Sequence, residues 1–186
     1  MLERPVEQVA RSLLGACLVS TVGGERTAGV IVETEAYGGA EDSASHAATV
    51  AGVTDRNRAM FGPAGRAYVY LSYGVHWCMN VVTGRQGEGQ AVLIRGMEPL
   101  SGEACMERRR EGRRPLGAGP GRLSEAFAIT GAMYGHDLRK APLVLLPGWS
   151  VAEAQVGNSG RVGVSTAADL PYRFYVRGSS GVSRPG

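Results

Sequence analysis

Lysine is almost absent from this sequence. Lys140 is the only one among 20 Lys and Arg. GC-rich coding explains most of that bias, since it favours Arg, Gly and Ala together. Arginine is nonetheless the side chain best shaped for bidentate phosphate contacts. Cysteine is scarce too. Cys17, Cys78 and Cys105 are odd in number and lack CxxC spacing. That argues against a disulfide scaffold and a zinc site, and for a reducing compartment. No apolar run approaches the ~18 residues that would span a membrane. Residues 1–12 carry Glu3, Arg4, Glu7 and Arg11, so no signal peptide is expected either. These absences lead to the expectation of a cytoplasmic protein. No internal repeat and no linker interrupts the chain.

What is present is ordinary for a soluble globule: 186 residues, 44% hydrophobic and 20% charged, with net charge +3. That length suits one domain with its own core. The 28 glycines predict many turns and few long helices. Val6, Val9, Ala10, Leu13 and Leu14 follow helical spacing, so residues 4–14 read as a helix ending near Gly15. Strands are expected over 16–22 and 27–35, around a Gly23-Gly24 turn. Further strands are expected over 67–72, 76–83, 91–97, 142–147, 161–165 and 172–177. Helices are expected over 40–46, 103–110 and 120–131. Residues 47–66 read as a long loop, apolar at Ala47-Ala48 and Val50-Ala51, and the last nine residues as a fraying tail.

The chemistry concentrates in two places. Tyr68-Val-Tyr-Leu-Ser-Tyr-Gly-Val-His-Trp-Cys-Met-Asn80 puts three of the seven tyrosines within six residues. Alternating Tyr68 and Tyr70, followed by a Tyr73-Gly74 turn, could be an aromatic core hairpin. They also suit a pocket that grips an unstacked base. The second place is Glu33-Thr-Glu35-Ala-Tyr37, with Asp42 and His46 following. On a strand, residues 33, 35 and 37 share one face. They are either a solvated edge or a site where a carboxylate draws a proton from water. Arg95 ends the apolar run Ala91–Ile94, where a buried charge needs a partner. A catalytic carboxylate would be one.

Taken in order, Ile31-Val-Glu-Thr-Glu-Ala-Tyr-Gly-Gly, Ser45-His46, Arg56-Asn-Arg-Ala-Met-Phe61, the Tyr68–Asn80 segment, Val92-Leu-Ile-Arg95, Gly119-Pro-Gly-Arg-Leu123 and Arg173-Phe-Tyr-Val-Arg177 resemble the alkyladenine (3-methyladenine, N-methylpurine) DNA glycosylase family. The resemblance spans roughly residues 4–178. It implies a glycosylase domain over 1–178 and a flexible tail over 179–186. The implied fold is a single mixed α+β domain, with a curved, largely antiparallel sheet flanked by helices, like the C-terminal domain of methionyl-tRNA formyltransferase. By the same resemblance, Glu35 would activate the attacking water and Arg95 would help hold it. Tyr37, His46 and Tyr70 would grip the flipped base, Asn80 would crowd the amine of guanine, and Tyr73 would wedge into the duplex. The implied substrate is double-stranded DNA with damaged purines, handled by a monomer without metal or cofactor, nucleoid-associated while on DNA. With no lysine near Glu35 in sequence, no lyase activity is expected. Val75 and His76 depart from the family pattern at the wedge, which bears on substrate range.

Phosphate contacts are expected from Arg110, Arg113 and Arg114, in a run that could also be a solvated helix end, and from Arg56, Arg58 and Arg122. Gly119-Pro-Gly121 could offer backbone N–H groups to a phosphate or simply start a helix. Two other classes share these features. A non-catalytic nucleic-acid module would not need the buried acid, and a small-molecule nucleosidase would not need the Tyr73 wedge.

Overall fold

The run Thr27–Tyr37 is rich in β-branched residues and lacks strict polar alternation, as a strand covered on both faces requires. In the computed structural model, which describes residues 2–49 and 52–184, that strand organises everything else. In chain order the elements are α1 (Val6–Ser12), β1 (Cys17–Ser20), β2 (Thr27–Tyr37), α2 (His46–Thr49), β3 (Ala67–Ser72), β4 (His76–Thr83), β5 (Gln90–Ser101), α3 (Glu103–Arg109), α4 (Pro120–Ala126), β6 (Leu143–Leu146), β7 (Val156–Ser159) and β8 (Arg173–Val176). The sheet order is β3-β4-β5-β2-β1-β6, antiparallel throughout, and β8 joins both β2 and β7. Among the described residues it curls into a half-barrel carrying four helices, a single α+β domain as the sequence suggested.

Two neighbours share one side of β2. β1 pairs with Thr27–Val30, then departs, and β8 takes over at Glu33–Glu35. On the opposite side β5 runs the full length, with register shifts at Ile31/Glu33 and Glu33/Thr34. Because Glu33 faces Gly96 and Thr34 faces Ile94, Arg95 is the extra residue of a β-bulge. Bulges of this kind re-aim a side chain.

One core cluster joins α1 (Val9, Ala10), β2 (Ile31), β5 (Ile94, Met97) and α4 (Leu123). A smaller one gathers Ala47, Met60, Tyr68, Val82 and Ala91, with Tyr37 and Tyr70 packed against it. No helix among the described residues is long and apolar enough to cross a membrane.

Several expectations differ from the structure. The helix expected over 40–46 forms instead at His46–Thr49, because Asp42 turns back to accept the Gly38 and Ala44 N–H groups. The long loop contains a 3-10 turn at Arg58–Phe61, while Val50-Ala51 lies outside the described residues. The helix from Pro120 stops at Ala126, and Ala128 adopts a left-handed φ of 55°. The strand expected over 161–165 does not form. Gly163 has φ 75°, and Arg161 turns inward to a buried carboxylate, so the pairing strand is β7, one step earlier. The tail expected to fray is hydrogen-bonded through Ser179, Ser180 and Ser183.

Candidate active site

The β3–β4 hairpin pairs Tyr68 with Asn80, Tyr70 with Cys78 and Ser72 with His76. Between Ser72 and His76 a three-residue loop turns the chain, with Tyr73 at φ 50° and Gly74 at φ 70°, both left-handed, and the Val75 N–H donating to Ser72 O at 3.0 Å. Tyr73 is 93% exposed at the tip, with Val75 also exposed and Leu71 at the edge of exposure. Period-2 alternation sends Tyr68 and Tyr70 to the same face. Tyr68 is buried, and its phenol oxygen lies 2.7 Å from His46 Nδ1. Tyr70 meets the His46 ring edge-on at 4.6 Å. Burial keeps Tyr68 and Tyr70 protonated, their hydroxyls pushed well above the usual phenol range. Burial, with the nearby Arg56 charge, pushes His46 down toward the neutral ring. Its Nδ1 is engaged by Tyr68. Asn80 donates from its amide to Tyr68 O (2.9 Å), so it is tethered across the hairpin.

Beneath this face lie Glu33 and Glu35, both fully buried. Their environments differ. Glu33 accepts from Arg173 Nε (2.7 Å) and from both the N–H (2.7 Å) and hydroxyl (3.0 Å) of Ser183. Glu35 accepts the Val162 N–H at 2.7 Å and the Tyr37 O–H at 3.0 Å. Arg95 stands between them, its Nε 3.3 Å from Glu33 and 3.5 Å from Glu35. Two carboxylates and two guanidiniums thus balance in formal charge, which a buried cluster needs because an unpaired buried ion costs several kcal/mol. Burial raises the Glu35 carboxyl above its ordinary range, while Arg95, the Val162 N–H and the Tyr37 hydroxyl pull it back down. The proximity of Glu35 also helps keep the buried Tyr37 hydroxyl protonated.

A cleft of about 1130 Å³ opens over this cluster. Tyr37, His46, Tyr70, Tyr73, Asn80 and Arg95 all line it. Glu35 sits just behind that surface: the three groups that bind it, on Tyr37, Val162 and Arg95, belong to lining residues. The structure therefore brings the expected catalytic, pocket and wedge residues to one cleft, from β2, α2, the hairpin and β5.

The arginines divide. Arg56 and Arg122 are exposed and line the cleft, with Arg122 anchored on Ala118 O at 3.0 Å. Arg58 is paired with Asp55 and lies outside the cleft. The run expected to touch phosphate is ion-paired within the protein. Arg110 is buried at 4% exposure and paired with Glu125. Arg113 shares Glu125 at 2.6 Å, and Arg114 is held by Glu103 and Glu107 of α3. Arg110 and Arg113 thereby link the end of α3 to α4, yet both also line the cleft, and the Arg113 and Arg114 side chains stay more than half exposed.

Sequence reasoning missed four contributors. Arg161 is buried, donates to both Asp42 oxygens (2.5 and 2.8 Å), and stacks 4.8 Å over the Tyr37 ring. Val162 offers Glu35 a backbone N–H, which no side-chain pattern could reveal. Arg173 lies at the start of a short strand with Phe174 and Tyr175, where a buried charge could have been suspected. Ser183 falls in the segment read as fraying.

The family model described as methylpurine-DNA glycosylase matches residues 1–180. A protein of Methanoculleus marisnigri, provisionally named a 3-methyladenine DNA glycosylase, is 48% identical over 187 residues, covering 98% of this chain and 95% of its own length. A Rhodopseudomonas palustris protein with the same name is 46% identical, covering 98% of this chain and 88% of its own length. One from Myxococcus xanthus is 48% identical, with 97% and 90% covered.

Proposed function

The chain belongs to the methylpurine-DNA glycosylase family, and from that premise we propose that it is a base-excision-repair enzyme cutting the N-glycosidic bond of damaged purines in duplex DNA. The substrates in this reading are the 3-methyladenine, 7-methylguanine, hypoxanthine and ethenoadenine class. The observation that carries it is Glu35, a buried carboxylate bound by three cleft-lining groups beneath an aromatic floor and an exposed hairpin tip. A pure binding module has no use for such an acid, and a nucleosidase has no use for an exposed Tyr73.

In this reading the damaged nucleotide is extruded into the cleft, and Tyr73 fills the space it leaves. Tyr37, Tyr70 and His46 grip the base, and their electron-rich faces favour cationic alkylated purines. Asn80 stands against the exocyclic amine of guanine. As the sugar develops oxocarbenium character, ionised Glu35 stabilises it and takes a proton from the attacking water. Arg95 keeps the carboxylate charged and helps hold that water. The products are the free base and an abasic site. Lys140 is exposed and does not line the cleft, which supports hydrolysis without a Schiff base. Arg56 and Arg122 supply phosphate contacts, and the enzyme acts as a monomer in the cytoplasm.

Because the ionised form of Glu35 is the active one, excision should rise as pH climbs through its raised carboxyl value, giving an acid limb above the ordinary glutamate range. Glu35→Gln tests the reading. Single-turnover excision should fall at least about 100-fold while affinity for a lesion duplex persists, since general-base catalysis typically supplies about 10²–10⁴-fold. A loss below about tenfold would end the general-base assignment.

A further inference from the structure

The segment after β8 folds back onto the sheet. Ser179 Oγ and the Ser180 N–H both donate to Glu98 Oε1, at 2.6 and 3.1 Å. Glycines then allow a close approach. A Cβ on Gly96 would lie 2.3 Å from Gly181 O, and one on Gly181 would lie 2.7 Å from Met97 O. Arg173 Nη2 holds the Arg184 carbonyl at 2.5 Å. Between these attachments Ser183 is aimed at the buried charges. Its N–H donates to Glu33 Oε2, its hydroxyl donates to Glu33 Oε1, and the same oxygen accepts from Arg95 Nε at 3.1 Å.

This arrangement decides how Arg95 is shared. Its Nε lies almost equally far from Glu33 and Glu35. Glu33 has four donors about it: Arg173, Arg95 and the two groups of Ser183. That nearly fills the lone-pair sites of a carboxylate. A saturated Glu33 has little further claim on Arg95. We propose that Ser183 is a positioning residue for base excision: by satisfying Glu33 it keeps Arg95 shared with Glu35 instead of captured by Glu33. The inference rests on the general-base reading of Glu35 above.

Loss of the Ser183 hydroxyl leaves Glu33 short of a donor, and Arg95 is the nearest replacement. As Arg95 moves toward Glu33, Glu35 loses a charge that favours its ionised form. The other groups facing Glu35 stay in place: Tyr37 on its own strand, Tyr70 on β3, Cys78 on β4, the Val162 N–H, and Arg161 with its partner Asp42. The acid limb of excision should therefore move to higher pH.

The test is the pH profile of single-turnover excision for the wild type, Ser183→Ala, Ser183→Thr and Glu35→Gln. Ser183→Ala should raise the acid limb by roughly half to one pH unit, about three- to tenfold in rate on the limb. Ser183→Thr, which keeps the hydroxyl, should restore the limb. Ser183→Cys keeps the volume but not a strong hydroxyl bond, so it should move the limb the same way and serves if the alanine variant melts early. A limb that is unmoved or lowered in the folded variants overturns the proposal, whatever happens to the plateau. If Glu35→Gln retained activity, the general-base reading itself would fall. A dead Glu35→Gln beside an unmoved Ser183→Ala limb would remove only the role of Ser183.

Discussion

Replacing Tyr73 by alanine isolates what the hairpin tip does on DNA. Tyr73 is 93% exposed, so its ring adds little to packing in the free protein. Truncation should therefore change stability by no more than about 0.5 kcal/mol, the usual range for a surface site. Any large defect must then arise in the complex. If the ring replaces the stacking of an extruded base, it contributes about 1–3 kcal/mol to the flipped state. At 1.4 kcal/mol per tenfold, the flipping equilibrium should fall by about 5- to 150-fold. The backbone gives a second handle, because Tyr73 sits at φ 50°. Alanine keeps that left-handed strain, and glycine relieves it. Tyr73→Gly should thus melt at or above Tyr73→Ala while flipping equally poorly. Fluorescence of ethenoadenine in duplex reports flipping, and single-turnover excision reports its consequence. Single-stranded substrate needs no wedge, so its excision should hardly change. Equal losses on single strand and duplex, or a duplex loss under about twofold, would refute the argument.

Asn80→Ser should open space against the guanine amine, raising excision of 7-methylguanine and guanine relative to hypoxanthine; parallel losses on all three would mean that the tether to Tyr68 is its whole role. Arg56→Ala combined with Arg122→Ala should weaken binding to any duplex without changing lesion choice. It should also flatten the slope of log K against log salt by about 0.9 for each phosphate no longer neutralised, and an unchanged slope in a salt titration would show that both merely face solvent.

Local patterns determined a good part of this protein. The alternation of Tyr68 and Tyr70, and the Tyr73-Gly74 turn, encode a hairpin with an aromatic face and an exposed tip, because strand periodicity and left-handed turn preference act over a few residues. The spacing of Glu33, Glu35 and Tyr37 fixes them to one strand, and Pro120 starts a helix. Desolvation made Arg95 suspect before its partners were known. It could not say which partners those would be. That choice belongs to the tertiary structure. The bulge in β5 turns Arg95 between two carboxylates, and β8 brings Arg173 to Glu33 across more than a hundred residues. The return of residues 179–184 carries Ser183 to the same oxygens. The Arg110–Arg114 run shows the reverse case. Its composition reads as a phosphate surface, and only the fold of α3 and α4 reveals the carboxylates of Glu103, Glu107 and Glu125 paired with it. A charge announces in sequence that it needs a partner; only chain closure, which sets distance and excludes water, decides whether that partner is another side chain or the substrate.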